Sequence, residues 1–318
     1  MRKVLVAAPF EDKHKARLEA SVSGCEFEYT SIHAATEEQI ASANIIVGNV
    51  PYKKIHASEK LELLQLNSAG CDGYIEPGVL SENTVLTNAT GAFSKTVAQH
   101  AFAVTLALQK KLPWYRDNQL RHEWIDLGPV NSIADSVVAV IGMGDIGCCY
   151  AEMAKALGAY VIGVKRRPGD KPAFVDELYT TDELDEVLKR ADVIFSILPN
   201  TKQTRYIYTD EKFDLMKPSA IFVNCGRGNA VSGEVLARAL NEKKIAAASI
   251  DVTETEPLPA DSPLWDTPNL LITPHVSGFF HIPDTLEKIT DIAIHNINAL
   301  VNGGEFVNIV DFETGYKK

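Results

Sequence analysis

No run in the 318-residue chain approaches the roughly eighteen consecutive apolar residues that a membrane span needs. The opening Met-Arg-Lys-Val-Leu-Val-Ala-Ala-Pro is cut short by Glu11 and Asp12, too soon for the apolar core of a signal peptide, and reads as a first strand. Cysteine is scarce. Its five copies (Cys25, Cys71, Cys148, Cys149, Cys225) are odd in number and lack metal-ligand spacing, which argues against a disulfide framework and a metal site and fits a reducing, cytoplasmic setting. Positive charge is in deficit too: 31 Lys and Arg against 42 Asp and Glu leave a net charge of −11, which disfavours nucleic acid as a partner. Low-complexity tracts and internal repeats are also missing, apart from a twofold use of α/β units.

What is present is alternation. Short apolar runs at 3–8, 26–30, 44–50, 61–67 and 84–87 are separated by helical patterns at 13–22 and 37–43, giving an α/β layer of flavodoxin-like size. A helix follows from Ser94 to Lys111, with Pro113 expected to end it. The alternation restarts at Ser136, with strands expected at 137–141, 160–164, 192–198, 219–224, 247–252 and 270–273, six parallel strands of a doubly wound sheet. A helix from Pro283 to Val301 and an apolar tail from Phe306 to Val310 remain, and their economical place is on the first layer. The expected architecture is a Rossmann domain (106–282) inserted into a smaller, discontinuous flavodoxin-like substrate domain (1–105 and 283–318).

The strand at 137–141 runs into Gly142-Met143-Gly144-Asp145-Ile146-Gly147 and a helix that stops near Gly158. Gly142 permits the turn, Gly144 lets backbone approach a pyrophosphate, Gly147 lets helix pack on strand, and the helix start offers N–H groups to the anion. That is a dinucleotide cradle. At the end of the next strand, where a carboxylate would bind a ribose 2′-hydroxyl, stand Lys165, Arg166 and Arg167. Three cations suit a 2′-phosphate, so NADP(H) is favoured, with NAD(H) the other candidate.

Three further motifs fall at strand ends: Cys225-Gly226-Arg227-Gly228, Asp251 to Pro257 with Glu256, and Thr273-Pro274-His275. With Asn67 to Asp72, Thr87 to His100 and Leu198-Pro199-Asn200-Thr201, they make nearly the whole chain resemble the D-isomer-specific 2-hydroxyacid dehydrogenases, the family of glyoxylate/hydroxypyruvate reductases and D-lactate dehydrogenases.

The resemblance implies a catalytic triad of Arg227, Glu256 and His275 and a small 2-oxo acid as substrate. His275 would donate the proton to the carbonyl oxygen, kept charged by Glu256, while Arg227 orients the substrate carboxylate and polarises the carbonyl. It also implies substrate contacts at Ser68, Ala69 and Gly70, whose bare backbone can approach an anion, and cofactor contacts at Thr96, Leu198, Pro199, Thr204, Cys225, Gly226, Asp251 and Gly278 beside the glycine loop and the Lys165 cluster. By analogy Asp251 would meet the nicotinamide carboxamide, and a homodimer is expected. Glu254 is a rival to Glu256, and Phe279, Phe280 and His281 would either wall the substrate pocket or pack the hinge. With no regulatory domain expected after residue 318, phosphoglycerate oxidation is disfavoured; formate oxidation is too, since that branch carries Gln at the position of Glu256. The alternative of another class is a dinucleotide-sensing, co-repressor-like binding protein on the same fold.

Overall fold

The structure is a computed structural model that describes residues 1–58, 60–313 and 315–317. It divides the chain into two compact units, Met1–Phe93 with Phe280–Lys318, and Ser94–Phe279.

In the first unit, β1 (Arg2–Val6), β2 (Cys25–Tyr29), β3 (Ile45–Val47), β4 (Leu63–Gln65) and β5 (Val85–Thr87) form one parallel sheet in the order β2-β1-β3-β4-β5. This is the flavodoxin-like doubly wound order. Helix α1 (Asp12–Ser21) is opened by Glu11, and α2 (Glu37–Ser42) by a reciprocal Thr36–Gln39 capping box. Leu5, Ile46, Leu64, Leu66 and Leu86 are buried within one apolar cluster.

The second unit begins with α3 (Ser94–Gln109), whose Phe102 and Thr105 pack on Tyr150, the Thr105 and Tyr150 hydroxyls lying 2.8 Å apart. The division therefore falls before this helix, after Phe93 rather than after residue 105. Pro113 does not end α3. Lys111, in the left-handed region, breaks the chain, and Pro113 sits in the first turn of α4 (Leu112–Leu120), where its missing N–H costs nothing.

The core of this unit is β6 (Val137–Ile141), α5 (Asp145–Ala156), β7 (Tyr160–Lys165), β8 (Glu177–Thr180), α6 (Leu184–Arg190), β9 (Val193–Ser196), α7 (Asp210–Leu215), β10 (Ile221–Asn224), α8 (Gly233–Asn241), β11 (Ala247–Ile250) and β12 (Leu270–Ile272). The strands pair in parallel in the order β12-β11-β10-β9-β6-β7-β8. Seven strands, not six, make the sheet. The additional one, Glu177–Thr180, is a half-buried edge strand with a polar sequence, unlike β9, β10 and β11, whose residues are all buried. The strand order reverses between β6 and β9, the switch point at which ligands of such sheets bind. The chain returns to the first unit as α9 (Pro283–Asn302), ended by Gly303 in the left-handed region. No helix among the described residues is long and apolar enough to cross a membrane.

Candidate active site

In-register parallel pairing sets the stage. Asn224 is level with Ile250, and Ile250 with Ile272, so β10, β11 and β12 end together on the same edge. The segments that leave them carry Arg227, then Asp251 and Glu256, then His275, from strands about 4.8 Å apart.

The His275 ring is half-exposed, and its Nδ1 lies 2.6 Å from Glu256 Oε2. The second Glu256 oxygen accepts from the Thr253 amide at 3.0 Å, so both carboxylate oxygens are committed and the group cannot turn. Because an ionised carboxylate only accepts, Nδ1 carries the proton and Nε2 is the nitrogen presented outward. Glu254, the rival in the same loop, faces elsewhere. It accepts from the Tyr206 hydroxyl and from Gly233 N–H at the start of α8, anchoring the loop that holds Glu256.

Arg227 leaves the end of β10 in a turn braced by buried Asn224, which accepts from Gly226 N–H (3.1 Å) and donates to the Arg227 carbonyl (3.1 Å). Its Nη1 donates to the Gly226 carbonyl at 2.9 Å. A Cβ on Gly226 would lie 2.4 Å from the Leu198 carbonyl oxygen, so only glycine lets the Cys225–Gly226 turn meet the Leu198–Pro199 loop. Thr204 closes that loop by donating to the Pro199 carbonyl at 2.5 Å. Burial first, then the nearby Asp251 carboxylate, push the Cys225 thiol well above its ordinary range.

Asp251 is 1% exposed. Its Oδ1 accepts from the Thr273 hydroxyl (2.5 Å) and Val276 N–H (3.0 Å), and its Oδ2 from Ser277 N–H (3.0 Å). Thr96 donates its hydroxyl to the Ser277 carbonyl at 3.0 Å, just before Gly278.

The glycine loop fits a dinucleotide. Gly142 has φ +112°, and a Cβ on Gly147 would lie 2.0 Å from the Gly142 carbonyl oxygen, whereas one on Gly144 would meet open space. Asp145 and Ile146 begin α5, which has no side-chain cap, leaving its first N–H groups to an anion. At the end of β7 a Cβ on Gly169 would come within 2.5 Å of Lys165 Nζ, so the ammonium is folded over the turn that follows Arg166 and Arg167.

In the first unit the Ser68–Gly70 turn is pinned through its carbonyls: Ser68 accepts from Ala89 N–H (2.8 Å), Ala69 from Asn88 Nδ2 (2.8 Å) and Gly70 from the Ser68 hydroxyl (2.6 Å). Within each planar peptide the N–H opposes the C=O, so pinning the three carbonyls also fixes the orientation of the Ala69, Gly70 and Cys71 amides. Asn49 adds a bond to the Ser68 hydroxyl (2.8 Å) and accepts from Asn67 N–H (2.9 Å). Phe280 packs its ring on Phe93, 6.1 Å between centroids, while Phe279 is half-exposed.

Residues 102–277 match the NAD-binding domain of the D-isomer-specific 2-hydroxyacid dehydrogenases. The chain belongs to that family. Glyoxylate/hydroxypyruvate reductase B of Escherichia fergusonii is 29% identical over 284 residues, 86% of each chain. A family member from Aeromonas salmonicida superposes with a TM-score of 0.88 at 31% identity, over 98% of this chain and 99% of that one. An NADPH-dependent glyoxylate/hydroxypyruvate reductase of Sinorhizobium meliloti, solved with NADP and sulfate, gives 0.85 at 25% identity over 99% and 100%. This protein is accordingly an NAD(P)-dependent D-2-hydroxyacid dehydrogenase.

Proposed function

We propose that the enzyme reduces a small 2-oxo acid, glyoxylate, hydroxypyruvate or a bulkier relative, to the D-2-hydroxy acid, with NADPH preferred over NADH. The reading is carried by the 2.6 Å His275–Glu256 pair at the strand edge that also bears Arg227. Bound NADPH supplies the hydride. His275 donates the proton to the carbonyl oxygen from Nε2, with Glu256 fixing the ring, and in the reverse direction it is the base. Arg227 offers the paired N–H donors of its guanidinium to the carboxylate and the polarised carbonyl. The Ser68–Gly70 turn of the first unit offers backbone amides suited to a carboxylate. On this reading that unit binds substrate and the Ser94–Phe279 unit binds cofactor.

Preference for the 2′-phosphate rests on Lys165, Arg166 and Arg167 where a ribose-binding acid would repel it. Support comes from the Sinorhizobium relative, which was solved with NADP. A homodimer is favoured by one specific observation. From Leu112 to Val130 the chain exposes Leu112 (55%), Leu120 (64%), Trp124 (103%), Ile125 (52%) and Val130 (45%), apolar surface that a second copy would cover. No disulfide joins the five cysteines, which suits a reducing cytoplasm.

The deciding experiment follows NADPH absorbance with a panel of 2-oxo acids. Turnover that disappears in His275→Ala supports the reading. Tight NADPH binding with no turnover of any 2-oxo acid would remove it in favour of a dinucleotide sensor.

A further inference from the structure

We propose that Asp251, Thr273 and His100 form a post, rooted in the buried Asp251 carboxyl, that holds the His275 turn in its proton-donating orientation, making Asp251 a positioning residue rather than solely a cofactor contact. The inference rests on His275 being the proton donor.

His275 needs such support. Its φ is +53°, a left-handed conformation unfavourable for a residue with a Cβ, and local bonding supplies only the bond from its own N–H to the Thr273 carbonyl (3.0 Å). What keeps the turn closed is Asp251. Its two oxygens gather the hydroxyl two residues before His275 and the two amides immediately after it, three donors at 2.5 to 3.0 Å around a carboxyl group 1% exposed. The Thr273 proton is given to Asp251, so Thr273 Oγ1 has only lone pairs left, and His100 Nε2, 3.2 Å away, must be the donor to it. His100 Nε2 also stands 4.0 Å from Asp251 Oδ1. Helix α3 thus braces the turn twice, through His100 on Thr273 and through Thr96 on the Ser277 carbonyl. A network anchored on a buried carboxylate fixes a geometry because each broken bond strands a partner.

The chemistry of substitution follows. Thr273→Val keeps the shape and deletes both bonds of the hydroxyl. Asp251→Asn places an NH2 against one of the backbone N–H donors and forces the turn to open there. His100→Ala removes the donor, and His100→Gln restores an N–H at the corresponding reach.

The test has two arms. In the first, hydrogen exchange of the amides of residues 275–277 is followed in the protein without substrate. Exchange should accelerate about tenfold or more in Thr273→Val and Asp251→Asn. Unchanged exchange in both would overturn the proposal, whatever the enzyme's substrate. In the second, 2-oxo acid reduction is measured with NADPH and with its 3-acetylpyridine analogue, whose ketone has no N–H for Asp251 to accept. Thr273→Val and His100→Ala should lower kcat about tenfold with KM for NADPH within about twofold, His100→Gln should recover most of it, and Asp251→Asn should lose about 100-fold with either cofactor. A penalty for Asp251→Asn that vanishes with the analogue would make Asp251 a carboxamide contact and overturn the positioning role. Should wild-type protein reduce no 2-oxo acid at all, the proposed reaction fails while the exchange arm still decides this inference.

Discussion

His275 Nδ1 and Glu256 Oε2 are 2.6 Å apart, and the opposite oxygen of Glu256 is tied to the Thr253 amide at 3.0 Å. A carboxylate held at both oxygens dictates which imidazole nitrogen carries its proton inward. In Glu256→Gln the Thr253 amide still demands an acceptor, so the amide oxygen goes there and the NH2 faces Nδ1. Two donors then confront each other, and the doubly protonated ring that supplies the proton is disfavoured. We expect kcat for 2-oxo acid reduction to fall about 100-fold with KM nearly unchanged. A Glu256→Gln enzyme of wild-type kcat would show that the pair does not orient the acid.

The Lys165 ammonium lies over Gly169, in the turn that follows Arg166 and Arg167 at the end of β7. Charge-assisted bonds to a 2′-phosphate are worth more than bonds to a 2′-hydroxyl, so Lys165→Gln with Arg166→Gln should cost NADPH about 10- to 100-fold in Kd while NADH changes by less than about threefold. The loss should shrink as salt is added. Fluorescence titration of each cofactor checks it, and equal weakening of both would assign the cluster to ordinary surface charge.

Two glycines of one loop should separate folding from binding. A Cβ on Gly147 meets the Gly142 carbonyl oxygen at 2.0 Å, backbone that cannot yield, so Gly147→Ala should lower Tm by about 10 °C or more, or prevent folding. Gly144 has φ −90° and open space where its Cβ would go. Gly144→Ala should therefore keep Tm within about 2 °C yet weaken NADPH about tenfold or more, because the methyl occupies the anion's approach. Tight NADPH binding by Gly144→Ala would mean that the pyrophosphate lies elsewhere.

These residues were readable before any coordinates because each follows an apolar run: Gly142 after β6, Lys165 at the end of β7, Arg227 after β10, His275 after β12. What supports them was not. His100 and Thr273 are 173 residues apart and meet only because α3 lies beside the sheet edge. Asn49 and Asn88 pin the Ser68–Gly70 turn across 19 residues each, and short polar residues in loops carry no period. Asn224 left a fainter trace, a lone amide at the end of the apolar run Ile221–Val223. The edge strand Glu177–Thr180 and helix α4 escaped for local reasons, a polar sequence in the first and a proline read as a terminator in the second.

That edge strand carries a carboxylate whose pairing makes stability sensitive to acid. Arg190 donates to both oxygens of Glu177 at 2.8 and 2.5 Å, and the Tyr160 and Tyr179 hydroxyls add bonds of 2.5 Å each. The Arg190 guanidinium above all, then the Tyr160 and Tyr179 hydroxyls, hold the Glu177 carboxyl well below the usual carboxylate range. In the unfolded chain the group titrates near about 4.3, so its folded value is the depressed one. Its stabilisation is therefore complete above the unfolded value and is lost as pH falls toward the folded one, when protonation in the native state breaks the pair. Glu177→Gln should lower Tm by a few degrees at pH 7, about 2–4 °C per kcal/mol for a unit of this size. Below about pH 4 the gap from wild type should narrow steadily, since the unfolded wild-type chain is then protonated as well. Thermal unfolding of both proteins from pH 7 to about pH 3 reads this directly, and a gap that stays constant over that range would remove Glu177 as the titrating group.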